Sequence, residues 1–338
     1  MRRFASISLA MFTMMTLANW AQGQTTLERA QVIDAAAIDR LTHWIEAAPL
    51  KASLPGRVTG LLRHQDVLSY AAPGVLFPSR NIGLQCQGVN ATLADVPKRA
   101  TTVNTTATVA EPRFGEADVA GERVFRLAIG AKDVLTPGTS PRCELVSYPM
   151  PDSALPEGEN FWLAFSFWAD DWSGTQDEQS IAQMHIQEPR NILLNPFFAL
   201  VVRGEEMRVE LRLNSRETPD QTSTRVVSTT KLQMPARQWV TAVIQARVST
   251  KAERKPFLRM WLNGKLVAEY ADPFGYLLPM GGYAYPKVGV YHWLAGNPWD
   301  LKLPTRSLLV GAMITVQDPS ARYTQELLRA TVAITGVR

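Results

Sequence analysis

Three short stretches carry side chains that could move protons or grip an anion. In IAQMHIQ, Gln183, His185 and Gln187 fall on one face, with Ala182, Met184 and Ile186 on the other. In YPKVGVYHW, Tyr285, Lys287, Gly289 and Tyr291 share a face. In RCELVSY, Arg142 and Glu144 share a face opposite Cys143 and Leu145. A cation, a bare backbone and a phenol make a poor core, whereas Gln-His-Gln can line a polar groove. Imidazole and phenol are common proton-transfer groups. A fourth stretch, MRVELRL, sets Arg208, Glu210 and Arg212 between Val209, Leu211 and Leu213. Each pattern taken singly also fits the wet side of an ordinary strand.

The elements that must position these groups are strands. From Val75 onward short β-rich segments alternate with Gly, Pro, Asn and Asp. VFRLAIG, RCELVSY, FWLAFSFWA, IAQMHIQ, FFALVV, MRVELRL, RVVSTTKLQM, WVTAVIQARV, FLRMWL, KLVAEY, KVGVYHW and LLVGAMITV all read as strands. Hairpins are marked at Arg203-Gly204-Glu205-Glu206 and at Asn263-Gly264, the second suited to a type I′ turn. So many strands with little helix between them predict one antiparallel all-β sandwich. Residues 214–224, 275–284 and 294–305 read as long loops, which often border a groove.

The chain has 338 residues, with 35 Lys+Arg against 31 Asp+Glu. It opens with Arg2 and Arg3, an apolar stretch from Phe4 to Ala18 and a small-residue exit at Ala21-Gln22-Gly23. That layout predicts a secretory signal peptide over 1–23, hence a secreted or periplasmic protein without membrane attachment after cleavage. Alanine- and leucine-rich spacing predicts a helix over 27–47 inside a helical or irregular extension, residues 24–75. The β domain is expected over 76–338. Two cysteines, Cys86 and Cys143, fit an oxidising compartment, where they could pair. Neither has a neighbouring thiol or imidazole at ligand spacing, so no metal site is expected. Without the two N-terminal arginines the charge is near balance, and no Lys/Arg cluster is interleaved with aromatics. Nucleic acid is therefore not an expected partner.

Read in order, R-x-E-L (Arg142 to Leu145), Q-x-H (Gln183 to His185) and Y-x-K-x-G-x-Y (Tyr285 to Tyr291) resemble the signature strands of jelly-roll polysaccharide lyases. The chain is similar to the heparin lyase I and glucuronan lyase group, and more distantly to the jelly-roll alginate lyases, over roughly residues 80–318. WLNGKLVAEY and the Trp239 strand resemble the segment ahead of the last motif. Two departures stand out. Alginate lyases carry an aromatic where Pro286 stands, and their first motif ends in an arginine where this chain has Val146. RVELR at 208–212 supplies the fuller pattern, but after the histidine strand, where it is a chance match or a groove wall.

The resemblance implies a concanavalin A-like β-jelly roll that cleaves an acidic, uronate-containing polysaccharide by β-elimination. Gln183 and Arg142 would neutralise the C6 carboxylate and stabilise the enolate-like charge. His185 would take the C5 proton and Tyr291 protonate O4, or act as both acid and base. Lys287 would supply the cation a tyrosinate needs, or hold a carboxylate, and Gly289 would leave room for the sugar ring. Tyr285, Lys287, Glu144, Gln187, Arg208 and Arg212 would contact substrate. Calcium occurs in parts of the related group, but no Asp-rich loop specifies it here, so no cofactor is expected. Two alternatives compete. A glycoside hydrolase on the same fold needs paired carboxylates that no strand offers. A non-catalytic carbohydrate-binding sandwich could use loop tryptophans such as Trp293 and Trp299 as platforms.

Overall fold

All twelve stretches read as strands form strands in the computed structural model. The structure describes residues 57–63, 82–87, 114–119, 122–129, 142–147, 157–170, 172, 177–187, 194–217, 219–277, 283–292, 306–318, 321 and 323–333. The expected signal segment, the helix over 27–47 and the loop at 294–305 lie outside the described residues.

One sheet, here the back sheet, runs β13 (Lys265–Tyr270), β12 (Phe257–Leu262), β11 (Trp239–Arg247), β6 (Asn160–Ala169), β16 (Arg306–Gln317), β4 (Glu122–Ile129) and β3 (Phe114–Val119). A further strand, β1 (Arg57–Arg63), pairs with the end of β16. It lies in the stretch read as an extension, and joins the sandwich. The front sheet runs β10 (Arg225–Gln233), β9 (Glu206–Asn214), β8 (Phe198–Arg203), β7 (Gln179–Gln187), β15 (Tyr283–His292), β5 (Arg142–Ser147) and β2 (Ile82–Gln87). A two-residue strand, β14 (Gly275–Tyr276), lies parallel to the end of β9, within a stretch read as loop.

Between the sheets lies one apolar cluster that includes Phe125, Leu127, Phe165, Phe167, Met184, Phe198, Leu211, Val288 and Val290. The back sheet is covered on its other face as well. A helix, α1 (Gln325–Val332), is capped by Thr324, whose side chain accepts from the Leu327 N–H. It sets Leu328 and Val332 against Trp162, Ala164, Ile314 and Val316. Asp318 fastens this layer by accepting from Trp162 Nε1 at 3.0 Å and from the Tyr323 N–H at 3.1 Å. A sheet buried on both faces needs apolar residues at successive positions. FWLAFSFWA and LLVGAMITV satisfy this, and β6 is buried along almost its whole length. In the front sheet β7, β15 and β5 alternate apolar core residues with polar ones, and the polar face is largely buried too, as at Gln183 and Lys287.

Turn chemistry follows the sequence reading. Asn263 and Gly264 both have positive φ, 48° and 86°, as a type I′ turn requires. Pro286 stands where β15 faces Met184 of β7, one residue before the β5 ladder begins at Lys287. It is placed where that ladder needs no donor.

Candidate functional site

The polar face of the front sheet is set by register. Across β7 and β15, His185 stands opposite Tyr285 and Gln183 opposite Lys287. Across β15 and β5, Lys287 faces Val146, Gly289 faces Glu144 and Tyr291 faces Arg142. Facing residues of an antiparallel pair share a sheet face, so the three sequence motifs meet on one surface spanning three adjacent strands.

That surface is bent by bulges. Between the Lys287 rung and the Tyr291 rung, β8 runs from Ala199 to Val201, β7 from Gln183 to Ser180, and β15 from Lys287 to Tyr291. Each strand thus spends one residue more than its neighbour, which kinks and twists the sheet. On β7 the extra residue reverses the alternation. Ile181 and Ala182 both enter the core, and Ser180, opposite Tyr291, moves to the polar face. Strict alternation would have set Ile181 beside Gln183, so sequence reasoning had no signal for Ser180.

At the centre of the surface lies a buried cluster. Gln183, Glu144 and Lys287 are 0 %, 1 % and 3 % exposed. Gln183 Nε2 donates to Glu144 Oε1 at 2.5 Å. Lys287 Nζ and Arg142 Nη1 each stand 3.9 Å from Glu144 Oε2. From this centre contacts run both ways. Lys287 Nζ lies 5.4 Å from the centroid of the Tyr285 ring, which packs on the His185 ring at 5.8 Å. Arg142 Cζ lies 4.2 Å over the centroid of the Tyr291 ring, a cation–π distance.

His185 is half-buried, and its Nδ1 lies 2.8 Å from the Ile186 carbonyl oxygen. A carbonyl only accepts, so Nδ1 donates to Ile186, and the Leu194 carbonyl is a second acceptor beside the ring. Burial, first, and then the Lys287 cation lower the imidazole to about 3; the Ile186 and Leu194 carbonyls oppose them, and Arg142 adds to the lowering. The ring is therefore neutral at pH 7. Burial also lowers Lys287 to about 8, with Arg142 in the same direction and Glu144 against them.

The geometry gives several of these residues partners within the protein. Glu144, expected to contact substrate, is enclosed beneath Gln183 and Lys287. The cation beside Tyr291 is Arg142; Lys287 leans toward Glu144 and Tyr285 instead. Gly289 clears space for the neighbouring strand, not for a sugar. A Cβ there would meet the Cys143 carbonyl oxygen at 2.2 Å and Glu144 Cα at 2.5 Å. Arg212, expected to contact substrate, is buried and donates to the Pro196 carbonyl at 3.0 Å and to Glu210 Oε2 at 2.5 Å. Arg208 is held by Glu178, a residue that sequence spacing did not connect to it, with Glu206 at 3.6 Å and Glu210 at 3.5 Å. The β9 pattern is thus a charge-matched wall. Gln187 ends β7 opposite Tyr283, and its side chain lies outside the described ones. Tyr285 is mostly buried between Lys287 and His185.

Behind the surface Cys143 is disulfide-bonded, and Cys86, the other cysteine of the chain, lies directly opposite it in the β2–β5 ladder. Among the described residues, no three His, Cys, Asp or Glu side chains gather as metal ligands would.

A protein-family model described as polysaccharide lyase matches residues 105–310. No curated protein matches the sequence. Among solved structures, an endo-β-1,4-glucuronan lyase from the fungus Trichoderma reesei is similar at 15 % identity and a TM-score of 0.48, over 60 % of this chain and 86 % of that one. The alginate lyase A1-II′ of polysaccharide lyase family 7 gives 14 % and 0.45, over 73 % and 99 %. An alginate lyase of Pseudomonas aeruginosa gives 20 % and 0.38, over 56 % and 82 %.

Proposed function

Since the chain belongs to the polysaccharide lyase family, whose model covers its residues 105–310, we propose that it cleaves a uronate-containing polysaccharide by β-elimination on the β7–β15–β5 surface. The observation that carries this reading is the convergence of His185, Gln183, Arg142 and Tyr291 on one face of three adjacent strands.

The C5 proton of a uronate is weakly acidic while its carboxylate is charged, so donors must meet the negative charge that builds there. Gln183 gives one N–H to Glu144 and keeps another. Arg142 Nε is buried without a hydrogen-bond partner, a donor suited to a substrate oxygen. His185 takes the C5 proton, the electron pair forms the C4–C5 double bond, and the C4–O4 bond breaks. The departing O4 takes its proton from the Tyr291 hydroxyl, and the Arg142 cation over the ring offsets the charge left behind. The carboxylates near this surface argue against hydrolysis. Glu144 lies against Lys287 and Arg142, and Glu178 and Glu210 against Arg208 and Arg212. The reading extends to export with cleavage after Gly23, which the Cys143 disulfide supports and N-terminal sequencing of the recovered protein tests.

Alginate, glucuronan, heparin, heparan sulfate and hyaluronan, each followed by ultraviolet absorbance, test the reaction. At least one should yield the absorbance of an unsaturated uronate. Folded His185→Ala and Tyr291→Phe variants should lose on the order of 10²- to 10⁴-fold of that rate. New reducing ends without absorbance would mean hydrolysis, and binding without cleavage would mean a binding protein.

A further inference from the structure

Glu144 lies where both halves of the surface meet, yet it is closed off from solvent. Its Oε1 takes the Gln183 amide, while its Oε2 has no hydrogen-bond partner and stands at equal distance from the Lys287 and Arg142 cations. Those cations are the groups that reach Tyr285, and through it His185, on one side and Tyr291 on the other. A buried carboxylate survives in such a place only with charged or hydrogen-bonded partners, and it fixes their positions in turn. The close approach of β5 to β15, which leaves no room for a Cβ at residue 289, sets its backbone under the row.

We propose that Glu144 is a positioning residue that never meets the polymer: one carboxylate orients the Gln183 amide, keeps Lys287 charged and holds Arg142 against Tyr291. The inference rests on the lyase reading for its meaning, but it has a readout of its own. Among the described residues, the polar groups around Lys287 include Glu144 and Arg142 from β5, Gln183 and His185 from β7, and Tyr285 and Tyr291 on its own strand. Among the described residues that set its titration, Glu144 favours the ammonium, whereas burial and Arg142 oppose it. Glu144→Gln keeps the shape and the amide contact but removes that support.

The test is an NMR titration of the lysine side chains in wild type and Glu144→Gln, with no substrate present. Wild-type Lys287 should lose its proton near pH 8. In the variant, deprotonation should become easier by about 10-fold or more, the effect of an opposite charge removed at this range. With substrate, kcat should fall on the order of 10²-fold through misplaced groups, and the alkaline limb of kcat/KM should move to lower pH. A Lys287 titration unchanged in Glu144→Gln would overturn the proposal, as would a rise in KM alone with kcat intact, which would mean contact with substrate. Should that variant not fold, Lys287→Gln reads the same cluster from the other side. Loss of the ammonium should raise the titration of His185, and an unmoved imidazole would overturn the proposal. Ultraviolet silence on every polymer, with the Lys287 shift intact, would sink the lyase reading and leave the positioning role standing.

Discussion

Replacement of Gly289 by alanine separates two accounts of the same residue. If the glycine only left room for a sugar, alanine would leave the fold intact and raise KM. The structure gives a different expectation. The added Cβ would stand 2.2 Å from the Cys143 carbonyl oxygen and 2.5 Å from Glu144 Cα, and both obstacles are backbone. Neither can turn away as a side chain tip would, so β5 and β15 must part by about 1 Å to restore an ordinary non-bonded contact. Overpacking of this kind costs roughly 1 to 3 kcal/mol. For a domain of this size that is a loss of about 3 to 10 °C in Tm. The same opening draws Arg142 from Tyr291 and Glu144 from Lys287, and a displacement of about 1 Å can cost on the order of 10²-fold in rate. Thermal melts and initial rates by ultraviolet absorbance, on one preparation, measure both. An alanine variant with wild-type Tm and raised KM would refute the close-approach account and restore the sugar-clearance one.

Other outcomes follow from the same packing. His185 and His292 are both held near 3 against an ordinary value of 6.5, burial being the largest cause for each. The unfolded chain therefore takes up protons that the fold refuses. This stability is complete above about pH 6.5 and lost as pH falls toward 3, with a slope of at most about 2.7 kcal/mol per pH unit for two protons. The partial exposure of His185 lessens its share. Chemical denaturation between pH 7 and 4 should show the decline, and His292→Gln should flatten it; a slope unchanged in that variant would count against the buried neutral imidazole. Arg212→Met removes one partner of a buried pair and leaves Glu210 without its 2.5 Å contact. The expected loss is roughly 3 to 5 kcal/mol by denaturant titration, with KM little altered. A raised KM at unchanged stability would return Arg212 to the substrate-binding set.

Much of this architecture is written locally. Period-two alternation depends on neighbours in sequence alone, so Gln183-x-His185, Tyr285-x-Lys287-x-Gly289-x-Tyr291 and Arg142-x-Glu144 could each be assigned to a strand face before any fold was known. The contrast between FWLAFSFWA and IAQMHIQ distinguishes a strand apolar on both faces from one that carries a polar face. Asn263-Gly264 states its own turn, because few residue pairs accept positive φ twice. The short helix α1 was not legible: most of what holds it is Trp162, Ile314 and Val316, far away along the chain.

What the tertiary structure decided is which faces meet and what each charged group touches. Strand order sets β15 between β7 and β5, and a bulge carries Ile181 inward and Ser180 outward, although nothing within β7 itself marks that reversal. The partner of a carboxylate is likewise a long-range matter. Glu144 reads as an exposed neighbour of Arg142 in sequence, and only the pairing of β5 with β15, and of β15 with β7, encloses it with Gln183 and Lys287. Side-chain type and direction follow from the covalent chain, whereas burial and charge partners follow from contacts between residues distant in sequence, which alternation alone does not specify.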